Sequence, residues 1–351
     1  MLFAYPISAT ANNWLHECLL EIIQIIHASY KAGHLPPVWP NIIPAKYQAR
    51  LRSRTSLRDQ LKNYQQIVGT LDVADQERVL KALNEQNEIP RLLSCECDCE
   101  TIDDLPETVR DPIKVLFTNA YELLTELEIR DEHYQVIYNA LTKKVCPFCG
   151  YEFFDGLQAP REDLDHYLKK SKYPFAAANL SNLVPMGGRC NSAYKGIKDI
   201  LRRSDGTRRK AFDPYNHTGV TISLENSVPF TGLDGEQPDW QIDFAPDCEE
   251  IETWDDVFEI RQRYVRDALT PSFKRWLGNF GNWVKDNVDP IPKADQELLQ
   301  AIQKYIRTLE SMESTGHDFL RVYVFQMLLK HCQQSNQRII SLLRDIASSE
   351  I

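Results

Sequence analysis

The chain has 351 residues, of which 43% are hydrophobic and 26% are charged, and its formal net charge is −10. This length suits two or three domains, and the apolar content excludes a disordered chain. No apolar run reaches the roughly 20 residues that span a bilayer, and nine cysteines without a basic, apolar leader indicate a reducing compartment, so we expect a cytoplasmic protein without membrane partners.

Helical periodicity runs through the first 140 residues. Apolar residues recur at helical spacing over 10–32, 54–68, 73–87 and 111–141, and a proline-rich break lies at 34–44. Ser56 and Asp75 are available as helix caps. We therefore predict a helical N-terminal domain over residues 1–140.

Three cysteines follow at a spacing typical of metal sites. Cys146 and Cys149 form a C-x-x-C pair, and Cys190 lies further along the chain. Thiolates at this spacing can converge on one tetrahedral ion, which predicts a structural Zn²⁺. A fourth ligand is not visible; His217 and Asp213 lie nearby in sequence, and the distant Cys95, Cys97 and Cys99 are further candidates. The alternative is a small buried cluster of thiols without metal.

Four other polar residues lie between and after these cysteines, in the runs D-L-D-H-Y-L, S-N-L-V-P and R-C-N-S-A-Y-K. His166 titrates near neutral pH and can act as a general base. Asp165 and Asn191 offer hard oxygen ligands that suit Mg²⁺ or Mn²⁺. If residues 164–168 are extended, Asp165 and His166 point to opposite faces, so that one can face a metal ion and the other a water molecule.

Residues 145–215 resemble the HNH nucleases, whose ββα-metal (His-Me finger) fold wraps a hairpin and one helix around a divalent ion. The resemblance implies that His166 is the general base, that Asp165 and Asn191 hold the metal ion, and that Asn182 braces the loop between the strands. Two positions depart from the family pattern. Gly187 stands where a second C-x-x-C pair would need a cysteine, and Lys169 replaces a common proline.

Basic residues follow the motif. Residues 192–203 are predicted to form its helix, which would place Lys195 one turn from Asn191, where its ammonium could hold a phosphate. Together with Lys195, we expect Lys198, Arg202 and Arg203 to contact a nucleic-acid backbone. The negative net charge does not oppose this, because phosphate binding depends on local patches of positive charge.

The C-terminal third begins with a predicted hairpin. Its strands are expected at 218–224 and 240–244, followed by helices from residue 253 with breaks at 270–271, 290–292 and 311–316. The predicted fold class is α+β, mostly α. It comprises the helical domain 1–140, an HNH module over 141–217, and a hairpin with helices over 218–351.

These features predict a metal-dependent endonuclease that hydrolyses DNA phosphodiesters; RNA is a further candidate, because a site acting on phosphate carries no sugar preference. HNH domains in helical frames resemble effectors of bacterial antiphage defence or restriction systems, which often act beside an ATPase or sensor subunit. The chain has no G-x-x-x-x-G-K-[ST] loop, so any ATPase would be another chain. The alternatives are a catalytically silent nucleic-acid-binding module and a regulated interaction subunit of such a complex.

Overall fold

The computed structural model describes residues 1–159, 164–230, 238–312 and 316–348. Helices dominate this part of the chain, and its strands form two separate two-stranded sheets, which confirms the α+β, mostly α class. The contacts divide the chain into two compact units, residues 1, 3–144 and 154–218, and residues 2, 145–153 and 219–351. The three-domain division with boundaries after 140 and 217 stays a prediction.

The first unit begins with helices whose apolar residues recur at helical spacing. In the first of them Leu15, Leu19, Ile22 and Ile26 are all buried, which is the stripe that an amphipathic helix turns to a core. The predicted helices at 54–68 and 73–87 are confirmed to within one residue. The helices are α1 (Trp14–Lys31), α2 (Ala45–Leu51), α3 (Thr55–Val68), α4 (Val73–Gln86), α5 (Ile89–Leu93), α6 (Glu107–Glu126) and α7 (Ile129–Ala140).

The helical periodicity over 111–141 is confirmed, and the run forms two helices, because Glu128 adopts a left-handed conformation with φ 60° between α6 and α7. The predicted caps Ser56 and Asp75 are wrong. Asp72 caps α4 by accepting the N–H of Asp75 at 2.8 Å, and Ser56 lies inside α3, where its hydroxyl accepts a hydrogen bond from Asn119. A cap must precede the first helical residue, and periodicity locates that residue poorly.

A short antiparallel hairpin packs on this helical core. Strands β1 (Leu164–His166) and β2 (Leu183–Pro185) pair with Asp165 opposite Val184 and His166 opposite Leu183. Leu164 and Leu183 belong to the same buried cluster as the apolar faces of α1, α3, α4 and α6. Apolar burial of this kind stabilises by about 2 kcal/mol per large side chain, so the hairpin and α6 are held together.

A helical turn with π-type hydrogen bonding, Arg189–Lys195, follows β2. The Gly196 N–H donates to the carbonyl of Asn191, five residues earlier, at 2.8 Å, and Gly196 has φ 42°. The prediction of a helix over 192–203 is therefore wrong. The glycine conformation ends the helix at Lys195, and a tight turn with Arg203 N–H donating to Thr207 O follows.

The second unit contains the other hairpin and the C-terminal helices. The hairpin is confirmed but shorter than predicted, and part of its predicted loop (231–237) lies outside the described residues, as does part of the predicted break at 311–316. At the predicted break near Pro271 a new α-helix begins at Thr270, after a helical turn with π-type hydrogen bonding, Tyr264–Leu269. Pro271 lies in the first turn of that helix, where no N–H is needed. The elements are β3 (Thr221–Ser223), β4 (Asp243–Ala245), α8 (Glu249–Phe258), α9 (Ile260–Arg263), α10 (Thr270–Asn287), α11 (Asp295–Ser311), α12 (Arg321–Gln333) and α13 (Gln337–Ser348). Among the described residues, no helix has both the length and the apolar character needed to cross a membrane.

Candidate active site

His166 is the last residue of β1 and is buried, with 7% of its surface exposed. Its pKa is lowered from 6.5 to about 3, first by burial and next by the charge of Lys170, with further lowering by Lys195 and Arg130. The near-neutral pKa expected of His166 is therefore wrong, because burial and neighbouring positive charges disfavour the protonated ring. The imidazole is neutral at pH 7, which is the form that can accept a proton.

The tautomer of this imidazole follows from one contact. Nε2 of His166 lies 3.0 Å from the carbonyl oxygen of Ala177. A carbonyl oxygen only accepts, so in the neutral ring Nε2 carries the hydrogen and donates it. Nδ1 then holds the lone pair and is the atom that would take a proton from water.

Asp165 precedes His166 and forms an ion pair with Lys195. The Lys195 Nζ lies 2.6 Å from Asp165 Oδ2 and 2.8 Å from the backbone oxygen of His166, and only 3% of Lys195 is exposed. The helical turn 189–195 thus contacts both Asp165 and His166 through Lys195. The phosphate contact expected of Lys195 stays a prediction, and the ammonium would have to leave Asp165 to make it.

Asn182 is completely buried just before β2. Its Oδ1 accepts the N–H of Leu168 at 2.6 Å, and its Nδ2 donates to the carbonyls of Leu168 and Ala176 at 3.0 and 3.1 Å. These bonds tie the two ends of the loop that joins β1 to β2. The same loop carries Ala177, so Asn182 indirectly fixes the acceptor that orients His166.

Asn191 lies half-buried in the helical turn 189–195, four residues before Lys195. Its backbone N–H donates to Gly187 at 2.9 Å and its carbonyl accepts from Gly196. The turn therefore places Asn191 on a segment that Lys195 anchors to β1. Its role as a metal ligand stays a prediction.

The basic residues after the turn differ in their contacts. The Arg202 guanidinium donates to both carboxylate oxygens of Asp98, at 2.6 and 2.7 Å. Lys198 is half-buried and Arg203 is exposed. Nearby, Arg208 donates to the carbonyls of Leu201, Leu92 and Cys97. Much of this positive charge therefore holds loops together, and a nucleic-acid contact by Lys198, Arg202 and Arg203 stays a prediction.

The predicted metal-ligating thiols lie close together. All three side chains of Cys146, Cys149 and Cys190 are buried, and their Sγ atoms lie within 4.8 Å of one another. Around a tetrahedral zinc ion with Zn–S of about 2.3 Å the sulfurs would be roughly 3.8 Å apart. The cluster could therefore bind a metal such as zinc. Among the described histidine, cysteine and acidic residues, no fourth ligand joins the group.

Local structure explains how the C-x-x-C pair is presented. The backbone N–H groups of Cys149 and Gly150 both donate to the carbonyl of Cys146, at 3.3 and 2.7 Å. Gly150 has φ 80°, and a Cβ at this position would collide with the side chain of Leu2. Only glycine satisfies both conditions, and it closes the turn that aims the two thiols.

Sequence reasoning missed the aromatic residue that packs on His166. The ring of Tyr121, from α6, lies 4.4 Å from the His166 ring, and its hydroxyl donates to Leu164 O at 3.1 Å. Arg130 and Lys170 both lie near the Tyr121 ring, at 4.8 and 5.1 Å from its centroid. These residues carry no shared motif, and only the packing of α6 on β1 brings them together.

Comparisons with protein-family models, with curated proteins and with solved structures found no match. A function must therefore be argued from the residues and contacts described above.

Proposed function

We propose that this protein is a metal-dependent endonuclease of the HNH type that hydrolyses nucleic-acid phosphodiesters, with DNA as the preferred substrate. One observation carries the proposal. A neutral histidine with a fixed tautomer, His166, stands beside the carboxylate of Asp165 on one strand. Its Nδ1 lone pair is the feature that a general base requires.

The reaction needs a base and a means of stabilising the leaving oxygen. His166 Nδ1 takes a proton from water as the water oxygen bonds to phosphorus, and the bond from phosphorus to the 3′ oxygen breaks. Asp165 and Asn191 would hold Mg²⁺ or Mn²⁺, since one carboxylate and one amide oxygen suit a hard cation. A bound divalent ion supplies positive charge that stabilises the leaving alkoxide.

Two further residues position this site. Asn182 fixes the loop that carries Ala177 and thereby holds His166 in its reactive tautomer. Lys195 contacts Asp165 Oδ2 and the His166 carbonyl, so it sets the orientation of both residues on β1. Preorganised groups of this kind lower the barrier because they need little reorganisation when charge develops.

The buried cluster of Cys146, Cys149 and Cys190 serves as a structural zinc site in this proposal, since three convergent thiols are typical of such sites. The protein acts in the cytoplasm as an effector of a bacterial antiphage defence or restriction system, with an ATPase or sensor subunit as its partner. This part of the proposal rests on the resemblance to HNH effectors alone.

A catalytically silent nucleic-acid-binding module is the second candidate. The ion pair between Asp165 and the buried Lys195 favours it, because the carboxylate already has a cation at 2.6 Å. In this case wild type and the His166→Ala variant would bind nucleic acid equally and neither would cut.

Cleavage of supercoiled plasmid by purified protein separates the two candidates. The reactions compare Mg²⁺, Mn²⁺ and EDTA, using wild type, His166→Ala and the control His34→Ala, which changes an exposed histidine. We expect cleavage only with metal, by wild type and His34→Ala but not by His166→Ala. Equal cleavage by the His166→Ala variant would overturn the assignment of the base.

A further inference from the structure

Two positive groups meet on one aromatic ring beside His166. Tyr121 lies on α6, Arg130 near the start of α7, and Lys170 in the loop after β1. The Arg130 Cζ and the Lys170 Nζ lie 4.8 and 5.1 Å from the centroid of the Tyr121 ring. The same ring packs 4.4 Å from the ring of His166, so both cations border the candidate active site.

These two cations differ from their neighbours in what they contact. Lys195 and Arg202 are ion-paired with Asp165 and Asp98. In contrast, within the part of the chain that the structure describes, Arg130 makes a hydrogen bond to the Thr125 hydroxyl at 3.1 Å and Lys170 is exposed, and neither forms an ion pair with a carboxylate. Among the described residues, no carboxylate therefore neutralises their positive charge.

Tyr121 gives the pair a fixed geometry. Its hydroxyl donates a hydrogen bond to the Leu164 carbonyl on β1. This bond orients the ring relative to the strand that carries His166. A cation over an aromatic face is attracted by the negative charge density of that face. This attraction favours the positions of both long side chains beside the ring and leaves their N–H groups able to bind an anion.

We propose that Lys170 and Arg130, gathered on the Tyr121 ring, form a phosphate subsite of this active site that holds the nucleic-acid backbone against His166. The inference rests on the proposed function and deepens it, since it adds Arg130 and Tyr121 from outside the stretch that resembles HNH nucleases to Lys170 within it. Arg130 provides a planar fork of N–H donors for phosphate oxygens, and Lys170 provides a point charge.

Binding and cleavage by the full chain test the subsite separately. Affinity for a fluorescein-labelled DNA duplex is measured by anisotropy in EDTA over a series of salt concentrations. Lys170→Ala and Arg130→Gln should each weaken binding about tenfold. Each should also reduce the slope of log affinity against log salt by about 0.9, the value for one lost phosphate contact. Lys169→Ala is the matched control, because it removes the adjacent lysine and leaves the ring cluster intact.

Four further measurements test the interpretation. Arg130→Lys should restore part of the affinity, and thermal unfolding of each variant excludes a loss of fold. Inorganic phosphate as competitor distinguishes a general anion site, which it would displace at low concentration, from a subsite that needs the polymer. In the cleavage assay, the two variants should raise KM more than they lower kcat.

The outcomes separate the two proposals. If wild type cleaves but Lys170→Ala and Arg130→Gln bind with the affinity and salt slope of Lys169→Ala, the subsite is wrong and the nuclease stands. If wild type never cleaves, but Lys170→Ala and Arg130→Gln bind the DNA more weakly and with a smaller slope of log affinity against log salt, the subsite stands and the catalytic proposal is wrong.

Discussion

The ammonium of Lys195 lies 2.6 Å from the carboxylate of Asp165, and both side chains are largely withdrawn from solvent. The pair joins the helical turn after β2 to the strand that carries His166. Removing one partner of such a pair leaves an uncompensated charge, which costs more than the pair itself contributes.

Lys195→Met should therefore lower the free energy of unfolding by about 3 kcal/mol, because the Asp165 carboxylate loses its cation in a nearly dry site. Urea denaturation at pH 7 measures the change. The double variant Asp165→Asn with Lys195→Met should recover most of it. If the double variant is as unstable as the single one, the loss arises from packing and the ion pair is not its cause.

Asn182→Ala should destabilise the protein by about 3 kcal/mol. It removes three hydrogen bonds and leaves the buried N–H and carbonyl of Leu168 and the carbonyl of Ala176 without this partner. Thermal unfolding and amide exchange at Leu168 report the effect. The matched control Asn84→Ala, at an exposed position of α4, should change stability by less than about 0.5 kcal/mol.

Zinc content tests the thiol cluster. If the cluster holds zinc, purified protein should contain about one zinc ion per chain, and a strong chelator should lower its melting temperature, since structural zinc contributes folding free energy. Cys149→Ser should lower both zinc content and stability. Cys248→Ser, which changes a thiol outside the cluster, should affect neither. If the purified protein contains no zinc and the chelator leaves its melting temperature unchanged, the three cysteines form a buried thiol cluster without metal.

Acid should destabilise the helical core through α1. Burial lowers the pKa of His16 and of His27 from 6.5 to about 4. As the pH falls, these histidines bind protons in the unfolded chain before they do so in the folded chain. The free energy of unfolding therefore keeps its full value above pH 6.5 and falls as the pH drops from 6.5 to 4. Over this pH range each of the two histidines lowers the free energy of unfolding by about 3 kcal/mol.

Urea denaturation at a series of pH values checks this prediction. In His27→Gln the fall in stability between pH 6.5 and 4 should be smaller than in wild type by about 3 kcal/mol. His34→Gln changes an exposed histidine and should follow the wild-type curve. A wild-type curve that is flat over this range would contradict the shifted pKa values.

Local patterns in the sequence predicted the regular elements well where one periodicity persists. The helices at 54–68 and 73–87 agree with α3 and α4 because their buried residues recur at helical spacing. The predicted helix over 192–203 failed at Gly196, where a left-handed backbone conformation ended it. The predicted cap at Ser56 was wrong for a similar reason. Helix boundaries depend on the hydrogen bonds of single residues, which the spacing of apolar residues does not predict.

The sequence by itself determined which residue types stand near one another along the chain: the Asp165-His166 pair, the C-x-x-C pair of Cys146 and Cys149, and the helical periodicity of the first 140 residues. Only the tertiary structure decided which charged groups contact one another. Lys195 forms an ion pair with Asp165, and Arg202 forms one with Asp98. Tyr121 packs on His166, with Arg130 and Lys170 near its ring. Periodicity and spacing report local backbone geometry, whereas such contacts depend on how separate helices and strands pack to bury their apolar faces.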